Sequence, residues 1–259
     1  GSEMCIRDRE CTLLDRVASG IELTESGQRL YDYANTVLSE YDKLKKEIDM
    51  IRASEEGTVE LLVAYDILRY LTPDCILEFQ KKYPNVTFSY MEYPDRIVEK
   101  MLLDKEGNVA LSIGPFAGDC FDMKSLKKCS LGLLVYEEHS LAKKREATIL
   151  DLEGEPLYLE NSSFKLNEFI QSRCWNRGFE PDIVFETNGF DLCYKMCRLK
   201  RGISVTIDFV HEDMNTEGLV MIPFAEDDMI WEIGLLTLKD RAMESSVEKF
   251  YKYIENYNS

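Results

Sequence analysis

The sequence predicts an α/β protein: one long helix, then two lobes in which strands and helices alternate. Three observations lead there. Apolar residues Leu30, Ala34, Val37, Tyr41, Leu44, Ile48 and Ile51 recur at alternating spacings of four and three among charged neighbours, the seam of a helix that packs on another helix. From Gly57 onward, short apolar runs alternate with amphipathic stretches, the rhythm of strands joined by helices. That rhythm breaks twice, near residues 136–145 and 223–228, as expected where a chain crosses between two lobes and back.

The elements follow in order. Thr24 is placed to cap the long helix, with Glu25 in its first turn. The helix is expected to run to about residue 53, ahead of Glu55-Glu56-Gly57. Its narrow seam points to dimerisation; an amphipathic helix lying on its own domain is the alternative. Strands are then expected at 59–65, 86–91, 109–113, 131–136, 157–159, 183–186, 203–207, 219–222 and 230–238. Helices are expected at 68–83 (ended by Pro84), 96–103, 164–177, 191–199 and 243–257. The alternation implies parallel sheets with helices on both faces. A ligand would sit in the cleft between lobes, at the carboxyl ends of strands.

Composition bounds the function. The 259 residues carry 31 Lys+Arg against 48 Asp+Glu, a net charge of −17. Such a chain does not hold nucleic acid through its overall field, because phosphates are neutralised by clustered cations. No apolar run approaches the ~18 residues of a membrane span, and the first residues lack the apolar core of a secretory signal. The eight cysteines include no C-x-x-C pair and only two histidines accompany them, so neither a zinc site nor a disulfide framework is expected. Most read as small buried side chains of a reducing compartment. His139 and His211 are expected to be solvated. Phosphate-loop, dinucleotide-loop, zincin and nucleophile-elbow motifs are all missing from the sequence. The reading is of a binder with no cofactor and no metal, not of an enzyme.

Several segments carry a resemblance. Leu13-Leu14-Asp15-Arg16, then Leu23-Thr24-Glu25-Ser26-Gly27, resembles the L-F-x-R wing end and the L-T-x-x-G helix start of LysR-type transcriptional regulators, with Leu14 where the family usually has Phe. Gly57-Thr58-Val59-Glu60-Leu61 is similar to the strand that opens that family's effector-binding domain. Leu71-Thr72-Pro73, Phe79, Tyr83-Pro84-Asn85-Val86, Val109-Ala110-Leu111-Ser112-Ile113 and Glu138-His139-Ser140-Leu141-Ala142 match further family segments in order, although Asn108 replaces the usual Asp. The resemblance covers about residue 13 to the C-terminus.

It implies a linker helix followed by two Rossmann-like lobes, like type 2 periplasmic-binding proteins. Residues 1–23 would be tag or unmatched sequence and the remnant of a winged helix-turn-helix. Residues 24–56 would be the dimerisation helix and 57–259 the effector-binding domain, with lobe 1 at 58–137 and 227–259 and lobe 2 at 138–226. The recognition helix that would enter the major groove has no counterpart in the sequence, so promoter DNA is expected as a partner only of a full-length protein. Arg16 alone would offer a weak phosphate contact. Effector contacts carried over from the family fall on Ala64, Asp66, Ile67, Gly114, Pro115, Ser162, Ser163, Thr187, Asn188 and Thr206. Ser162 and Ser163 also stand at a helix start, where backbone amides favour anions; a plain N-cap is the alternative. Asp66 is an awkward neighbour for an anion. It would either cap the next helix or select a cationic, amine-bearing ligand. Peroxide sensing is disfavoured, because Cys174 lacks a cysteine partner at the start of its helix.

The reading is therefore a cytoplasmic, ligand-responsive regulator that binds a small effector and itself, as dimer or tetramer, and no membrane. A stand-alone solute-binding protein of the same two-lobed architecture is the alternative.

Overall fold

Thr24 begins the long helix as its residue type predicts. The computed structural model describes residues 12–17, 20–116 and 119–257. An antiparallel hairpin of β1 (Leu14–Val17) and β2 (Gly20–Leu23) leads into α1 (Glu25–Glu55). The Thr24 hydroxyl accepts the Gly27 amide at 3.0 Å and donates to the Thr12 carbonyl at 2.7 Å. It thus satisfies one of the first-turn amides that helix geometry leaves open. Gly27 answers to packing: a Cβ there would lie 2.0 Å from the Leu13 carbonyl oxygen. With 31 residues, α1 is about 46 Å long. Leu30, Ala34, Val37, Tyr41 and Leu44 are exposed along it. The side chains of Ile48, Ile51 and Arg16 lie outside the described residues, as do Cys5 and Cys11.

The chain divides into two compact units between Ser54 and Glu55. In the second unit β3 (Gly57–Ala64) is followed by α2 (Ile67–Leu71), α3 (Asp74–Lys82), β4 (Val86–Tyr93), α4 (Asp95–Leu103) and β5 (Val109–Ile113). Next come β6 (Phe121–Tyr136), β7 (Pro156–Glu160), α5 (Lys165–Asn176), β8 (Asp182–Thr187), α6 (Phe190–Cys197) and β9 (Ile203–Ile207). The order closes with α7 (Asp208–Asp213), β10 (Leu219–Pro223), β11 (Ile230–Leu238) and α8 (Ser245–Tyr257).

The strands form two lobes joined through β6. In the first, the order is β4-β3-β5-β11-β6; β3 runs parallel to β4 and β5, and β11 runs antiparallel to β5 and β6. In the second, β6 pairs antiparallel with β9 and β10, and β9, β7 and β8 run parallel. Residues Phe121 to Ser130 of β6 face β11, and Leu131 to Tyr136 face β9 and β10.

Four expectations change. The sheets are mixed rather than parallel, because β6, β10 and β11 reverse direction. The first half of β6 was not foreseen: Asp122, Lys124, Lys127 and Lys128 dilute its apolar pattern, yet pairing with β11 holds it as strand. The helix expected at 68–83 is two helices. Pro73 has no amide to donate and disfavours helical geometry at Thr72, which takes φ 57°. His139 is buried, not solvated; its Nδ1 accepts the Leu141 amide at 3.3 Å and its Nε2 lies 3.3 Å from Glu155.

The first lobe's core gathers around Phe79, which meets Phe250 edge-on at 5.0 Å and touches Phe88, Tyr83 and Tyr253. This cluster ties α8 back onto α3 and β4, so the end of the chain completes the lobe that the second unit begins. Among the described residues no helix is long and apolar enough to cross a membrane.

Candidate functional site

The loop leaving β3 runs straight into the junction of the lobes. Ala64 and Ile67 are buried, and Asp66 between them adopts left-handed geometry at φ 70°, a conformation Asp tolerates better than most residues. Its carboxylate accepts Arg69 Nε at 2.5 Å. From α2 the same guanidinium reaches the other lobe, donating to Asp191 of α6 at 2.9 Å and Asp213 of α7 at 2.6 Å.

A second bridge runs through α4 and α5. Asp95 accepts the Arg96 amide at 2.7 Å and, across the junction, the Lys165 amide at 3.0 Å. Lys165 turns its ammonium to the Glu99 carboxylate and to the Ile113 carbonyl, the latter at 2.7 Å, and stands 4.8 Å over the Phe116 ring. Arg96 pairs with Glu168 of α5. The amide end of α5, where an anion was expected, is thus already met by the protein's own Asp95.

Between these bridges lies a small, partly enclosed cavity of about 20 Å3, room for one water. Ala64, Asp66, Ile67, Asp95 and Glu160 contribute to it, and Tyr65, Phe164, Phe190, Phe209 and Trp231 supply aromatic walls. Tyr65 and Phe164 face each other from the two lobes with centroids 6.2 Å apart. An open pocket of about 480 Å3 adjoins it through the shared residues Tyr65 and Asp66; Arg69, Glu92, Asn188, Asp191 and Asp213 also line this pocket.

The electrostatics are unusual for an interior. Glu160, at the end of β7, is 4% exposed, and its Oε1 has no hydrogen-bond partner among the described residues. Burial, with Asp66 and Asp95 nearby, pushes its carboxyl well above the usual range. Asp95 is pushed up to about 6, mainly by burial. Asp66 also rises by burial, against the pull of Arg69, and Glu92 rises by burial and the charge of Asp66.

Of the residues foreseen from sequence, Ala64, Asp66 and Ile67 meet at the small cavity. Gly114 donates its amide to the Glu232 carbonyl at 2.7 Å, and Pro115 lines a separate groove with Arg96 and Glu168. Ser162 is exposed; the half-buried Ser163 gives its amide to Asn161 Oδ1 at 2.8 Å. Thr187 is buried, its hydroxyl donating to the Gly189 carbonyl at 3.0 Å, and Asn188 accepts Asn161 Nδ2 at 2.6 Å on the rim of the outer pocket. Thr206 joins an internal chain: its hydroxyl is 3.0 Å from Tyr194 OH, itself 3.0 Å from His211 Nδ1. Glu160, Asp95, Arg69, Lys165 and the aromatic walls were not foreseen. Glu160 closing an apolar strand (Leu157, Tyr158, Leu159) was the one signal available. Cys174 and Cys193 are buried, and burial pushes both thiols up to about 11, away from thiolate chemistry.

Residues 52–258 match the family model described as the LysR substrate binding domain. The chain belongs to the LysR substrate-binding domain family. Its relatives include the uncharacterized HTH-type transcriptional regulator YwbI of Bacillus subtilis, 25% identical over 71% of this chain and 62% of that one. The transcriptional dual regulator GltC of Bacillus subtilis is 24% identical over 96% of this chain and 83% of its own. The LysR chain therefore spans under two thirds of the length of YwbI. Among solved structures, the effector binding domain of QuiR in complex with shikimate shares the fold, with a TM-score of 0.67 at 18% identity, covering 78% of this chain and 97% of that one.

Proposed function

We propose that this LysR chain carries the linker helix and the effector-binding part of a ligand-responsive transcriptional regulator. A small molecule entering between the lobes is its signal. The observation behind this is that Arg69 and Asp95, which line the outer pocket and the cavity at the junction, also bridge the two lobes. Arg69 with Asp191 and Asp213, Asp95 with the Lys165 amide, and Lys165 with Glu99 join the lobes directly. A ligand that displaces any of them changes how firmly the lobes hold each other. Binding energy thus becomes a shift in lobe geometry, provided the ligand prefers one arrangement. Ala64, Asp66 and Ile67 are the contacts best supported, with Asn188 on the rim of the outer pocket.

The exposed seam of α1 supports self-association, as a dimer or as a tetramer of two dimers. DNA recognition belongs to a protein that also carries the helix-turn-helix, and a cytoplasmic location follows from that role. The reading is of a non-catalytic protein, in keeping with relatives named as regulators. Hydrogen–deuterium exchange tests it, with the chain titrated against metabolite mixtures. An effector should protect 64–69, 95–99 and 160–166 together. Protection confined to one lobe, or to α1, would refute the cleft as the sensor.

A further inference from the structure

Among LysR domains a ligand solved in this fold is the carboxylate shikimate, bound by QuiR, yet the junction of this chain is laid out for the opposite charge. We propose that the cleft recognises an organic cation, an alkylammonium head seated on the Glu160 carboxylate within aromatic walls. This rests on the effector-cleft reading above and assigns its ligand class.

Four observations lead to it. Glu160 lines the cavity, and its solvent-shielded Oε1 has no hydrogen-bond partner among the described residues. A buried acceptor left unmatched is costly, and an entering N–H donor is its natural complement. Second, the place an anion would occupy is filled: the Lys165 amide at the start of α5 is already held by Asp95. Third, among the residues lining the cavity and the outer pocket, four carboxyl groups (Asp66, Glu92, Asp95, Glu160) face one cation, Arg69, which is shared with Asp191 and Asp213. Fourth, Tyr65, Phe164, Phe190, Phe209 and Trp231 present ring faces or edges around the same space, and ring faces attract ammonium groups once water is excluded. A metal ion fits less well, since among the described residues no group of three or more His, Cys, Asp or Glu is placed to hold one.

The small cavity admits little more than one water, so the ammonium must part Tyr65 from Phe164 and loosen Arg69 from Asp191 and Asp213 on the way in. The carbon chain behind the head would then occupy the outer pocket beside Asp66 and Glu92. Burial favours the protonated form of Glu160 in the empty cavity. The incoming ammonium favours the carboxylate, so binding releases a proton to solvent. The titratable groups facing Glu160 are Asp66 from the loop after β3, Asp95 from α4 and the Cys193 thiol of α6; the two acids press the same way.

The test is calorimetric titration of the whole chain with n-butylammonium, putrescine and shikimate in two buffers of different ionisation enthalpy, near pH 7.5. Trp231 fluorescence follows the cavity wall. The amines should bind with net release of protons, and Glu160→Gln should weaken them about tenfold or more and abolish that release. Asp66→Asn serves as a second variant should Glu160→Gln fail to fold. Shikimate binding with protection across both lobes, and no amine binding up to about 10 mM, would overturn the cation assignment while leaving the effector cleft intact. Amine binding unaffected by both variants places the cation elsewhere and also overturns it. Amine binding that requires Glu160 but changes exchange in one lobe only would uphold the ligand class and sink the regulator reading.

Discussion

Asp95 offers the sharpest test of the junction, because two physical effects on it oppose each other. It is 4% exposed, which favours the neutral acid, but it accepts the amides of Arg96 and Lys165 and lies near the Lys165 charge, which favour the carboxylate. Burial, aided by the charge of Glu99, wins and pushes the carboxyl from 3.8 up to about 6. A carboxyl raised on folding contributes stability that is fully present below its unfolded pKa and lost as pH rises through its folded pKa. At about 1.4 kcal/mol per pH unit, the gap between 3.8 and about 6 corresponds to about 3 kcal/mol. Asp95→Asn keeps an acceptor for both amides and removes the charge. Its stability relative to the parent should therefore climb with pH, by about 2 kcal/mol between about pH 4.5 and 7.5. Urea denaturation followed by tryptophan fluorescence measures this, and taking the difference between the two proteins removes most of what other carboxyls contribute. A flat difference, or an Asn variant that loses ground as pH rises, would mean that capping of α5 outweighs burial and that the reasoning about this junction is wrong.

Other expectations are more direct. Arg69→Met should cost about 2 kcal/mol in urea denaturation, since it leaves Asp66, Asp191 and Asp213 facing one another without their shared partner; an unchanged midpoint would show that the bridge is ornamental in solution. Phe79→Ala should cost about 3–5 kcal/mol, because it empties the centre of the cluster with Phe250, Phe88 and Tyr253. Val37→Glu with Leu44→Glu should lower the sedimentation mass without shifting the melting of the second unit, as both residues are more than half exposed on α1. An unchanged mass would remove α1 from the proposed interface.

How much was legible beforehand differs by element. The long helix was readable from end to end because its signals are local: a hydroxyl at Thr24, a seven-residue apolar repeat and charged intervening positions. The buried strands β3, β5 and β9 were readable because they are short, largely apolar runs, a pattern that needs no knowledge of neighbours. The first half of β6 was not, since its polar side chains look like loop until β11 pairs with them. The short α7 escaped for a similar reason. Six residues show no periodicity, and Asp208 starts that helix while its carboxylate accepts the Ser130 amide of β6 at 2.8 Å.

The site divides along the same line. Ala64, Asp66 and Ile67 follow directly from the strand that carries them, so a family pattern could point to them. The doubt attached to Asp66, whether it caps a helix or selects a cation, was already written in its charge. Glu160 and Asp95 lie 65 residues apart in a chain with 48 acidic residues, and nothing local distinguishes them from the rest. Only the meeting of the two lobes takes both out of water. Sequence by itself determined the periodicities, the net charge and the order of elements, because those depend on each residue and its near neighbours. Tertiary structure alone decided which carboxyls are stripped of solvent and which cations stand beside them. Desolvation and Coulomb energy depend on distances that only folding sets, and those distances give the cleft its chemistry.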